Sequence, residues 1–332
     1  MDLRRRDFLK RLAACMPGAL VASDVRGDEA GTGGPLPPPA DTPFQVGNRL
    51  FAADRFQDAL DSLMNGGTLY IRGGATYPVT GSLRRHDATI RALGGKAVLD
   101  GLRNASFPAL GKGLIVQQGR AATYADLVFR NVVVPHANGA GVRVEGGGTT
   151  TFQRCEFRDS QQGILTGNGP GRSVVLEDCI GDNLGAGDGQ SHGVYCGTID
   201  AFTVSGGAWT NSRVGHLLKS RAARTRIENV QLVEGAGSRA IDLPSGGVVE
   251  ILGCTISQSQ RTSNSDIVGY GFEVRKPHWP ENGFAFRATN RVVNARQPPG
   301  TVLAFAGWFT GPKVVERYTY NGSRAHPPGF TG

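Results

Sequence analysis

The sequence predicts an all-β chain wound into stacked three-stranded coils, preceded by one short helix. Three observations predict it. Glycine is abundant, 49 of 332 residues, without the period of three that a collagen-like chain needs. Aromatic residues make up only 8% and charged residues 19%, so the chain reads as many short strands joined by tight turns. The third observation is a repeat. FRNVVV, FQRCEF, LEDCIG, VSGGAW, IENVQL and ILGCTI align on Val132, Cys155, Cys179, Gly207, Val230 and Cys254, with gaps of 23, 24, 28, 23 and 24 residues. That is the length of three strands of about 5 residues and three corners. Successive coils then pair in parallel about 4.8 Å apart, and residues one period apart stack in files.

The N-terminus reads Arg5-Arg6-Asp7-Phe8-Leu9-Lys10, which resembles the twin-arginine export motif R-R-x-F-L-K at every position, with Arg4 where Ser or Thr is usual. A weakly apolar stretch from Leu12 to Ala22 follows, then small residues. Residues 1–23 are therefore expected to be an export signal, and the mature protein periplasmic or secreted. Leu12-Ala13-Ala14-Cys15 also resembles a lipoprotein box, but it lies too close to the arginines to leave an apolar segment, which favours a soluble exported monomer. The formal charge is +8, and +5 without residues 1–23, a weak preference for an anionic partner. No nucleic-acid motif and no basic stripe interleaved with aromatics is present, so nucleic acid is not expected. No apolar run reaches the ~18–20 residues of a membrane span. Residues 24–43, with Gly33-Gly34-Pro35-Leu36-Pro37-Pro38-Pro39, read as a linker.

Residues 44–332 read as one domain. RFQDALDSLM places Phe56, Leu60 and Leu63 at helical spacing and ends at Asn65-Gly66-Gly67. GGTLYIRGGATYPVTGSL is a strand, a turn and a strand, and TIRALGGKAVLDG continues the pattern. This order resembles the start of the right-handed parallel β-helix superfamily, which includes pectate lyases, polygalacturonases, alginate epimerases and phage tailspikes. The resemblance implies a right-handed parallel β-helix with the helix as its N-terminal cap; it leaves the chemistry open. Val302 to Trp308 and Tyr318 to Tyr320 are expected as last strands or as a C-terminal cover.

Three segments starting at His192, His216 and Arg239 align at offsets of 24 and 23. Val194, Leu218 and Ile241 form one inward file; Cys196, Ser220 and Leu243 form another. Alternation turns Tyr195, Lys219 and Asp242 outward. Arg221 shares the face of Lys219, and His192, His216 and Arg239 stack at the leading corner. The outward wall is expected to run Arg143, Leu165, Tyr195, Lys219, Asp242, continued by Glu273 and Arg275, with Asp266 as a rival for the place after Asp242. Loops 180–191 and 257–283 are expected to border it. Trp279 reads equally as a sugar-stacking platform or as filler of its own loop. Cys155, Cys179 and Cys254 are expected as an interior file of thiols, a Cys155–Cys179 disulfide being the alternative.

Such a wall suits an acidic polysaccharide. β-Elimination on a uronate needs a cation against the carboxylate, a base for the C5 proton and an acid for the leaving oxygen. Lys219 or Arg221 suits the first role; His216, His192 or Lys219 the second; Tyr195 the third. Arg143, Arg239, Glu273, Arg275 and Trp279 are the expected substrate contacts. A C5-epimerase uses the same parts. Hydrolysis needs two carboxyl groups, which Asp242 with Glu273 or Asp266 would supply. A non-catalytic carbohydrate-binding or structural rod is the remaining class, with Lys219–Asp242 as a plain cross-strand pair. No cofactor is required; calcium stays open through Asp178, Asp182 and Asp188.

Overall fold

A computed structural model describes residues 34–84, 87–187, 189–287 and 289–321, and the backbone of 323–325. The expected export signal, and residues 24–33 of the expected linker, lie outside the described residues. The chain divides into units Met1–Pro35 and Leu36–Gly332, and the fold belongs to the second. The end of the expected linker already joins that fold: Arg72 donates from Nη1 to the Pro38 carbonyl and from its backbone N–H to the Pro43 carbonyl, both at 2.8 Å.

The fold is nearly all β. Among the described residues the strands form three long sheets of 12, 11 and 9 strands. The chain visits them in fixed rotation: Gly67–Arg72 in the first sheet, Thr76–Tyr77 in the second, Gly81–Leu83 in the third, then Ala88–Leu93 back in the first. Within the sheets neighbours pair in parallel, except that Phe44–Val46 pairs antiparallel with both Arg49–Phe51 and Gly67–Arg72, and Tyr318–Tyr320 antiparallel with Ser323–Ala325. This topology is compatible with a parallel β-helix. The expected terminal strands are present as Leu303–Phe305 in the third sheet and Tyr318–Tyr320 in the second. The helix is also present, over Phe56–Asp61. It lies against Gly81, where a Cβ would fall 2.6 Å from Leu60 Cδ1.

Residues in the left-handed region mark the corners. Just after the first-sheet strands these are Asp126, Arg154, Asp178, the pair Gly206–Gly207, Asn229 and Gly253; just after the second-sheet strands they include Asn131, Asp159, Asn183 and Asn211. Asn, Asp and Gly tolerate positive φ best, so the corner recruits them coil after coil. Members of the second file also bond the coil below: Asn183 Nδ2 donates to Asp159 Oδ1 at 2.6 Å, and Asn211 Nδ2 to Asp182 Oδ1, next to the file, at 2.7 Å. Glu234 occupies the next place in this file, its N–H donating to the Ser257 carbonyl as that of Asn211 donates to Val233.

Inside, aromatic side chains stack along the axis. Tyr124 lies on Phe152 with ring centroids 5.0 Å apart, and Phe129 on Phe157 at 5.2 Å. Phe157 then stacks on Trp209 at 6.0 Å, across a coil that carries Gly181 between them in register. A Cβ on Gly181 would sit 2.0 Å from Trp209 Cε3, so glycine there makes room for the indole. The cysteine file needs one correction. Glu156 pairs with Val128, so Cys155 follows Leu127 and not Val132; a corner of unequal length hid the shift. Cys155, Cys179 and Cys254 are buried free thiols, and no disulfide joins the first two. Burial pushes the Cys179 thiol up to about 12.

Candidate functional site

The outward face of the third sheet carries the site. Val194 pairs with Leu218, Tyr195 with Lys219 and Cys196 with Ser220; Leu218 then pairs with Ile241 and Lys219 with Asp242. Below them Arg143 pairs with Leu165 and Leu165 with Tyr195. The file therefore runs Arg143, Leu165, Tyr195, Lys219, Asp242. Its next member is Gly269, not Glu273, Arg275 or Asp266. Leu243 pairs with Tyr270, so Glu273 and Arg275 come after the strand has ended. Asp266 stands instead over Arg239, whose Nε bonds its carboxylate.

The file was expected to face solvent. It faces away from the apolar interior, but Lys219 is 7% exposed and Asp242 1%. The roof is made by other site residues. Arg239 donates from Nη1 to Asp242 Oδ1 at 3.0 Å. Its guanidinium lies across Gly269, where a Cβ would fall 2.6 Å from Arg239 Nε. Asp242 Oδ2 has Lys219 Nζ at 3.4 Å and His216 Nε2 at 3.3 Å, yet makes no aligned hydrogen bond with either. On the other side Lys219 Nζ donates to Glu273 Oε1 at 2.5 Å, and Arg221 Nη2 bonds Glu273 Oε2. Burial alone would push the Glu273 carboxyl up; Lys219 and Arg221 hold it below the ordinary carboxylate range.

Tyr195 sits between the cations. Arg221 Nε donates to its Oη at 3.0 Å, and Lys219 Nζ lies 5.5 Å from the ring centroid. The phenol oxygen thus accepts one bond and keeps its own O–H to donate.

His192 and His216 stack at the leading corner with centroids 4.9 Å apart and planes 7° from parallel. Each ring meets the coil above in the same way. The His216 N–H donates to His192 Nδ1 at 3.1 Å, and the Arg239 N–H to His216 Nδ1 at 3.0 Å. Burial, then His216, Lys219 and Arg221, push His192 well below its ordinary value. Burial, with Lys219 and Arg239 adding to it against Asp242, brings His216 to about 4. Both rings are neutral at pH 7, and their Nδ1 lone pairs are taken, so the proton resides on Nε2. Neither histidine offers a lone pair for the base role expected of it.

A groove of about 680 Å³ lies along this face, lined by Arg143, Leu165, His192, Tyr195, Lys219 and Glu273. It also holds His136, Asn138, Gln162, Thr166, Asn168 and Gln190, which the sequence reading missed. Thr166 and Asn168 extend the strand that bears Leu165 and carried a signal of position only; His136 lies on a corner loop outside the repeat. His216 and Arg239 line a neighbouring hollow of about 490 Å³. Arg275 lines a third depression, over residues 274–278. Trp279 donates from Nε1 to the Arg221 carbonyl at 3.0 Å, which pins its loop beside the site. Of the loop carboxylates considered for calcium, Asp182 accepts from Thr210 Oγ1 at 2.6 Å and from Asn211 Nδ2, Asp178 turns a different corner, and Asp188 lies outside the described residues.

The fold and site define a nearly all-β protein of long parallel sheets, with a cation-lined groove on one face. No family model, no curated protein and no solved structure matches the chain. No helix among the described residues is long and apolar enough to cross a membrane.

Proposed function

We propose that this is an exported right-handed parallel β-helix, capped by its N-terminal helix, that acts on a uronic-acid polysaccharide by β-elimination or C5-epimerisation in the groove of the third sheet. The observation that carries the reading is the surroundings of Tyr195. Its Oη lies 3.0 Å from Arg221 Nε, at the wall of a groove that also presents Lys219 and Arg143.

Tyr195 is the proton carrier in this reading. In elimination the C5–H bond breaks, its electron pair forms the C4–C5 double bond, and the C4–O bond breaks. Tyr195 reacts as the phenolate after losing its own proton to solvent; its oxygen takes the C5 proton and passes it to the departing O4. Arg221 stands where the phenolate charge resides, and the Lys219–Arg221 pair faces the substrate carboxylate, whose charge rises as C5 loses its proton. His192, with Nε2–H, is a donor to substrate oxygen. In epimerisation the C4–O bond stays intact, Tyr195 keeps the C5 proton, and a second donor on the opposite face of the ring protonates C5. No step is routed through a metal; calcium dependence is read by running each assay with and without a chelator.

Hydrolysis fits less well. Asp242 is almost wholly buried and Lys219 stands between it and Glu273. A non-catalytic binding rod is favoured by one observation: each charged group of the Lys219 cluster already has an ion-pair partner within it.

The test incubates purified protein with alginate, pectate and bacterial exopolysaccharides and follows the ultraviolet absorbance of the new double bond. Tyr195→Phe should lower the elimination rate on the order of 10²–10⁴-fold, with the thermal transition moved by no more than a few degrees. Full activity in this variant removes Tyr195 from the mechanism. Binding of a uronate polymer with neither double bond nor altered uronate epimer content establishes the rod instead.

A further inference from the structure

Lys219 lines the groove, Arg221 stands beside it, and one carboxylate already bridges the two. Glu273 places Oε1 at 2.5 Å from Lys219 Nζ and Oε2 on Arg221 Nη2. A planar carboxylate held by two cations through separate oxygens is the geometry in which a sugar acid would be bound. The chain separation is informative. Arg143, lower in the groove, takes its carboxylate from Glu145, two residues on and just past the end of its strand, with Nε–Oε1 at 2.8 Å. Glu273 comes from 52 and 54 residues away, on a loop that follows the strand Val268–Tyr270.

That loop is held by its backbone and by two indoles, with the Glu273 N–H itself donating to the Pro244 carbonyl at 3.3 Å, so its course does not depend on the Glu273 side chain. Gly271 N–H donates to the Leu243 carbonyl at 2.9 Å, Trp308 Nε1 to the Gly271 carbonyl at 2.9 Å, and Trp279 Nε1 to the Arg221 carbonyl at 3.0 Å. The Glu273 side chain itself is 42% exposed, whereas Lys219 beneath it is 9%. An exposed side chain on a surface loop has room to turn into water, and what it gives up is its two ion pairs; the buried lysine cannot move.

We propose that Glu273 is a resident competitor: it occupies the place of a substrate carboxylate on Lys219 and Arg221, and ligand must displace it. Glu273 is then a specificity-determining residue. A neutral sugar brings nothing to exchange for the lost ion pair and is rejected. A uronate replaces the carboxylate in kind. Single sugar acids bind weakly, because they trade one carboxylate for another, while a uronate chain adds contacts along the groove from Tyr195 down to Arg143. This inference rests on the uronate reading above.

The experiment measures binding apart from turnover. Trisaccharides of galacturonate and of mannuronate, and the matching neutral trisaccharides, are titrated calorimetrically into wild-type protein, Glu273→Gln and Glu273→Asp. Glu273→Gln is expected to bind at least one acidic trisaccharide about tenfold more tightly than wild type. The aspartate, too short to bridge both cations, should gain less, and neutral sugars should gain nothing. Both variants should still unfold in one cooperative thermal transition, since Lys219 keeps Asp242 as its partner. Unchanged or weaker acid binding by both variants overturns the proposal, as does an equal gain for neutral sugars. Tighter acid binding without any double-bond formation keeps the competitor and sinks the lyase reading. Elimination activity with no gain in binding does the reverse.

Discussion

Two faces of the molecule carry ladders of charge built on the same parallel register, and they behave as different materials. On the first sheet Arg226 bonds Glu250 and lies 2.8 Å from Glu228; Glu250 meets Arg287 at 3.4 Å, which meets Glu316 at 3.1 Å. Every one of these side chains is about a third or more exposed. On the third sheet Arg239, Asp242, Lys219, Glu273 and Arg221 form a chain of the same kind, but Lys219 and Asp242 are buried. Water screens the first ladder and leaves it a solvated coat. The second is screened by protein, so each charge depends on its neighbours and small displacements matter. Burial, more than the identity of the ions, separates the two.

The comparison breaks most visibly at Lys219. Lys219→Ala leaves Asp242 buried between a cavity and Arg239, and should cost about 3–5 kcal/mol in denaturant unfolding. A cost near zero would mean that water reaches Asp242 freely. This burial also makes Tyr195→Phe, and not a lysine variant, the clean probe of chemistry.

Glu234 tests burial through pH. It occupies the corner place held by Asn or Asp on four coils below, and its carboxyl is enclosed, with Ser212 Oγ and the Gly235 N–H on Oε2 and no hydrogen-bond partner resolved for Oε1. Burial pushes it up to about 8 against those hydrogen bonds. A carboxyl raised in the folded state binds its proton more tightly folded than unfolded. The stability it contributes is complete below about pH 4.5 and lost by about pH 8, on the order of 5 kcal/mol. Glu234→Gln should remove most of the fall in urea midpoint between pH 5 and pH 9. An undiminished fall would place the titrating group elsewhere. His216 acts on the opposite flank: lowered to about 4, it withdraws stability as pH falls from 6.5, and this flank should survive in Glu234→Gln.

The smallest effect belongs to the first sheet. Arg226→Ala should cost about 0.2–1 kcal/mol and less in high salt. A loss comparable to that at Lys219 would erase the distinction between the two faces.

Much of this was legible beforehand because strand pairing is periodic. Once His192, His216 and Arg239 were aligned, Tyr195, Lys219 and Asp242 had to share one file, and the stacked histidines followed from the same offsets. The reading failed where a corner changed length. An unequal corner misplaced the residue below Cys155, and the loop after Tyr270 put Glu273 beside Lys219 from outside the file. His136, Thr166 and Asn168 lay on coils below the aligned segments and carried no pattern that marks a groove.

The sequence alone determined the sheet character of the chain, the alternation of its strands and the neighbours within each file, since these depend on local spacing and on a repeat that any reader of the chain can count. Tertiary structure alone decided which charges are dry. The depth of Asp242, the occupied lone pairs of the two histidines and the bridge from Glu273 arise where a side chain or loop from a later coil folds back over an earlier one, and no local pattern encodes that distance.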